Sequence, residues 1–141
     1  MRRIVLGMGS VVLGVALVVP AVAARQGQDL AVIDTTMKAV GPAFGAARKA
    51  LEAGDMAAAK TAAESLSKSF VETEAFFKSH GKADGVEWAQ GAKKAADAVA
   101  AAMSPDAAKA PAGELGKFCQ GCHTKYRDKS ADGSFTFKAG A

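Results

Sequence analysis

From Leu30 onward, apolar residues recur every three or four positions: Leu30, Ile33, Met37, Val40, Phe44, Ala47 and Leu51. This spacing predicts a helix with one buried stripe. A second stripe runs through Met56, Ala59, Ala63, Leu66, Phe70 and Phe77, and Asp55, just after Gly54, is placed to cap its start. The two glycines of His80–Gly85 end it. A third stripe follows from Val86 through Trp88, Ala92, Ala95 and Val99 to Met103. Ser104–Gly113 carries two prolines and reads as a connection, and a fourth helix is expected from Glu114 to about Lys129. Beyond it, residues 130–141 read as an extended or disordered tail. The helices are rich in Ala, the best helix former, and short connections between amphipathic helices favour antiparallel neighbours. The expected fold is therefore all-α, an up-and-down four-helix bundle. Pro42 interrupts the first stripe and is expected to kink that helix or split it in two.

Ahead of the stripes, the chain has a different composition. Arg2 and Arg3 precede an apolar run from Ile4 to Val19, which ends at Pro20-Ala21-Val22-Ala23. A basic start, an apolar stretch and an A-x-A end form the pattern of a secretory signal peptide. The run is short for a membrane-spanning helix. Residues 1–24 are read as the signal, with cleavage near Ala23 or Ala24, and residues 25–141 as one exported, periplasmic domain with no later membrane span. Loss of Arg2 and Arg3 lowers the net charge from +4 to +2, so nucleic acid is not expected as a partner.

Both cysteines of the chain and one of its two histidines fall in Phe118-Cys-Gln-Gly-Cys-His123. On a helix turning about 100° per residue, Leu115, Cys122, His123 and Tyr126 all lie within about 60° of Cys119. Two thiols and an imidazole thus share the face that a bundle helix turns inward. C-x-x-C-H is the attachment signature of c-type haem: two thiols form thioethers and the following imidazole meets the iron. Two other uses are weaker. Thiol–disulfide chemistry at C-x-x-C usually sits in a βαβ setting, and no strand pattern precedes Cys119. Zinc could draw on Cys119, Cys122, His123 and His80, but on a helix the adjacent Cys122 and His123 point about 100° apart. No acid–base pair, nucleophile or open metal site argues for catalysis.

With its signal-like start and this motif near the end, "CQGCHTKYR" (Cys119 to Arg127) resembles the class II cytochromes c, cytochrome c′ and its low-spin relatives. "TTMKAVGPAFGAA" (Thr35 to Ala47) is similar to the first-helix segment of that family. The resemblance implies one covalent haem c on the last helix, held by Cys119 and Cys122. It implies His123 as proximal iron ligand, with Tyr126 and Arg127 in the haem vicinity. It places Met37 at the distal iron position. Family members often carry an Arg four residues before the distal residue; Ile33 stands there in this chain.

Met37 has a plain reading too, since a Met on an apolar stripe is most often packing, as Met56 and Met103 are expected to be. His80 is the other conceivable sixth ligand, although a histidine at a helix end more simply faces solvent. The implied function is electron transport through His/Met-ligated, low-spin haem. The alternative is a high-spin, gas-binding (NO or CO) module with a vacant distal site. Cytochrome c maturation machinery and redox partner proteins are the expected partners, and Lys117, Lys125, Lys129 and Lys138 a possible docking rim for them. The family allows monomers or homodimers.

Overall fold

The computed structural model describes residues 19–131 and 135–138, with side chains from Leu30 onward. The expected signal segment lies outside the described residues as far as position 18. Four helices pack against one another in an all-α four-helix bundle: α1 (Val19–Ala53), α2 (Met56–Ser79), α3 (Ala83–Ala101) and α4 (Pro105–Tyr126). Consecutive helices lie side by side over much of their length, whereas α1 and α4 touch at few places. Two short strands, β1 (Arg127–Lys129) and β2 (Phe135–Phe137), form an antiparallel pair after α4. Among the described residues, no helix is long and apolar enough to cross a membrane.

Local chemistry sets the helix ends. Gly54 has φ 74°, and the Gly54 and Asp55 amides donate to Leu51 O and Ala50 O. The same pair of bonds closes α2, where Gly81 has φ 67° and the Gly81 and Lys82 amides donate to Lys78 O and Phe77 O. Both are Schellman caps, in which glycine takes the left-handed position without a Cβ penalty. Asp55 caps α2 as expected, accepting from the Ala58 amide at 2.9 Å.

Three boundaries differ from the sequence reading. The expected connection Ser104–Gly113 is helical. Ser104 caps α4 by accepting from the Ala107 amide, and Pro105 occupies the first turn, where its missing N–H costs nothing. Pro111 lies inside the helix, and the surrounding turns are held by Ala108, which is fully buried against Ala63 and Val99. Pro42 does not split α1, which runs through it unbroken. Gly41 and Pro42 are exposed, so the ring and the unmatched carbonyl lie on the solvent side. Finally, α4 stops at Tyr126, and part of the tail returns as β2.

The stripes do form the core. Val40, Ala47, Leu66, Phe70, Ala96 and Leu115 belong to its central cluster. Ile33, Phe76, Phe77 and Tyr126 make a second cluster beside it. Leu30 and Met103 are exceptions, at 42% and 91% exposed, and for Met103 the reason is that α3 ends at Ala101, two residues before it. Two glycines let α3 approach its neighbours. A Cβ on Gly85 would overlap the Phe77 ring of α2, and one on Gly91 the Phe118 ring of α4.

Candidate functional site

All four helices contribute to one apolar cleft that opens to solvent and encloses a cavity of about 30 Å³. From α4 come Phe118, Cys119, Cys122 and His123, and from α1 Met37 and Val40. Phe70 and Thr73 of α2 and Trp88 of α3 complete most of the wall. That cavity is far below the roughly 300–1,000 Å³ of cofactor and small-molecule sites, so a group seated there would have to displace some of the side chains that line it. Thr73 brings no unsatisfied hydroxyl to it, because Thr73 Oγ1 donates to Ser69 O at 2.9 Å.

Cys119 and Cys122 are half-buried, unbridged thiols one helical turn apart. Burial raises both pKa values, and that of Cys122 is pushed up to about 12 by burial and then by the charges of Cys119 and Asp84. Neither thiol is poised as a thiolate, which is the opposite of a redox-active C-x-x-C pair. The His123 pKa is lowered, first by burial and then by the nearby Arg127 guanidinium, so the ring is held in its neutral, ligating form. Among the described residues none hydrogen-bonds to that ring.

Tyr126, only 2% exposed, lies beside this cleft in the second cluster, against which Met37, Trp88 and Cys122 also pack. Its hydroxyl donates to Asp84 Oδ1 at 2.6 Å, and Lys125 Nζ donates to Asp84 Oδ2. Those two hydrogen bonds, that from Lys125 first, hold the Asp84 carboxyl down to about pKa 2. Arg127 leaves the helix as the first residue of β1, exposed, with its guanidinium 3.9 Å over the Phe135 ring.

His80 does not reach the cleft. It caps α2, with Nδ1 2.8 Å from Phe76 O and its ring 4.3 Å from that of Phe76. Ile33 is buried under Phe76, Phe77 and Tyr126, so that position is pure core. Of the lysines around the motif, Lys117 pairs with Glu114, Lys125 with Asp84 and Lys138 with Asp128. The candidate docking rim is thus largely neutralised by the chain's own carboxylates. Among the described residues no cluster of three or more His, Cys, Asp or Glu is placed to hold a metal ion, which leaves the zinc reading without a ligand set.

The sequence reading did not single out Phe118, Thr73 or Asp84. Phe118 was legible as the apolar neighbour of Cys119, and Thr73 continues the α2 stripe one step past Phe70. Asp84 carried no signal, because its link to Tyr126 exists only once α3 and α4 are packed.

The donor set is selective: two neutral thiols and a neutral imidazole on one helix, a thioether on another, and apolar or aromatic walls between them. Such a set could hold a group covalently through Cys119 and Cys122 and offer it the His123 nitrogen and the Met37 sulfur as ligands. Compared with family models, curated proteins and solved structures, the chain finds no match.

Proposed function

We propose that the protein is a periplasmic monohaem c-type cytochrome that carries single electrons and is not an enzyme. The observation that carries this reading is that Met37, far away in sequence, lines one apolar cleft with Cys119, Cys122 and His123. Cys119 and Cys122 would hold haem c through thioethers, and His123 and Met37 would supply ligands to its iron. The haem supplies a one-electron couple, and a Met/His pair of ligands raises its potential. Phe70, Trp88 and Phe118 exclude water, so little need rearrange when the charge changes. Tyr126 and Arg127 support the ligand helix near the group.

On this reading the chain is exported by its signal segment and receives its haem from the cytochrome c maturation machinery. It then exchanges electrons with redox partner proteins, as a monomer or homodimer. The Gly54 and Gly81 turns favour the antiparallel up-and-down order of the bundle.

A second reading, as a high-spin NO or CO binder, draws support from the sparse contact of α1 with α4 and the partial burial of Met37. A thioether on a helix that meets the motif helix at so few places is one that a small gas could displace. One experiment tests both. After export with functional maturation, the optical spectrum is recorded oxidised and reduced, and the haem is challenged with acid–acetone. One haem that resists extraction, with a low-spin spectrum, supports the carrier. Resistant haem with a high-spin spectrum transfers the case to the gas binder. A colourless protein with Cys119 and Cys122 joined to each other ends both.

A further inference from the structure

The tail beyond Lys129 had no role in the sequence reading, yet part of it folds back onto the end of α4. The strands pair with Arg127 opposite Phe137, Asp128 opposite Thr136 and Lys129 opposite Phe135. An isolated two-stranded hairpin is at best marginally stable in water, so its contacts with the bundle decide whether it forms.

Those contacts converge on the last turn of α4. The Phe137 ring lies 5.6 Å from that of Tyr126 and 5.3 Å from that of Phe76, centroid to centroid. The Lys138 amide donates to Tyr126 O at 2.9 Å, and Lys138 Nζ donates to Thr124 O at 2.8 Å. Two carbonyls that a helix end leaves without partners are thereby satisfied. Phe135 holds the Arg127 guanidinium against its face. His123 sits between Cys122 and Thr124 in the turn that these contacts fix.

We propose that this hairpin is a clasp that positions the last turn of α4, and with it His123, with Phe137 as its anchoring residue. The proposal rests on the haem reading of Cys119, Cys122 and His123. A positioning residue of this kind differs from a merely stabilising one. Its loss lets the imidazole leave its place before the bundle unfolds, while the thioethers keep the group attached.

The test uses the full holoprotein in urea, following the Soret band for axial ligation and far-ultraviolet circular dichroism for helix. In the wild type the two transitions should coincide. Phe137→Ala, and a chain ended after Lys129, should retain covalent haem but lose the ligated spectrum at lower urea than the helices. Phe137→Tyr, which keeps an aromatic ring, should bring the transitions back together. Val99→Ala, in the cluster with Ala63 and Ala108, should lower both transitions equally. Coincident transitions in Phe137→Ala would overturn the clasp. If the wild type carries no haem, the haem reading fails, and amide exchange in the haem-free chain decides the clasp. Selective loss of protection at residues 124–127 in Phe137→Ala sustains it, and unchanged protection overturns it.

Discussion

The Tyr126 hydroxyl donates to Asp84 Oδ1 at 2.6 Å, joining the first turn of α3 to the last turn of α4. The bond lies one turn from His123, and it is the most specific polar contact between the end of the motif helix and the rest of the bundle. Asp84 also takes Lys125, so two successive residues of α4 converge on one carboxylate. Lys125 is half exposed and screened by solvent, whereas Tyr126 is buried. The Tyr126 bond is therefore the one that fixes geometry.

The first prediction concerns acid. Asp84 has its pKa lowered from 3.8 to about 2 on folding, so the stability it contributes is present in full above its unfolded value and lost as pH falls through about 2. The urea midpoint of the wild type should fall between about pH 4 and pH 2. Asp84→Asn should start lower at neutral pH and fall less steeply. Some acid sensitivity should remain, because Lys93 and Ser67 lower the Asp97 pKa in the same direction. A variant as acid-sensitive as the wild type would remove Asp84 from this role.

The second prediction separates three methionines. Met37→Ala should convert a low-spin spectrum to a high-spin one and speed CO binding to the reduced form. Met56→Ala should leave the spectrum unchanged. Met103 is exposed, so Met103→Ala should alter stability by no more than about 0.5 kcal/mol, far from the cost of a core methionine. An unchanged spectrum in Met37→Ala would leave that side chain as packing only.

Two glycines give a third prediction of opposite signs. Gly45 lies within α1 with nothing within 4 Å of a Cβ placed on it. Gly45→Ala should stabilise the protein by about 0.5–1 kcal/mol through helix propensity. Gly91→Ala drives a methyl group into the Phe118 ring and should destabilise by about 1–3 kcal/mol. Because Phe118 precedes Cys119, Gly91→Ala should also lower the yield of protein with bound haem. Urea midpoints and haem-to-protein ratios read both effects.

A fourth prediction couples cofactor and fold. A group that binds only the native state adds its binding free energy to stability. The haem-free chain should therefore be helical but melt at a lower temperature than the haem-bound form, as followed by circular dichroism. Equal midpoints would mean that the cleft is not where the group resides.

Much of the bundle was legible because its signals are local. The i, i+3, i+4 stripes gave the buried faces of Ile33, Val40, Leu66, Phe70 and Leu115, and Gly54 and Gly81 gave two helix ends. The motif placed Cys119, Cys122 and His123 on one face without any knowledge of α1–α3. What failed was judged locally but decided by packing. Pro105 and Pro111 read as breakers, yet one sits where a helix start tolerates proline and the other is carried by buried Ala108. Met103 fitted a stripe whose helix ended too soon. The tail's aromatic residues gave no hint of their partners, because Phe76 and Tyr126 come together only in the folded bundle.

The open seam between α1 and α4 joins the two helices that lie furthest apart along the chain. Contacts of that kind close the longest loop and come late in folding, since their chain entropy must be met before they are rewarded. During synthesis α1 exists well before α4, and neither has enough surface on the other to zip the bundle shut alone. A group fastened to α4 and touching Met37 would thus act as a keystone, set when the rest of the arch already stands. The order of assembly, and not affinity alone, would then decide whether the finished protein is filled.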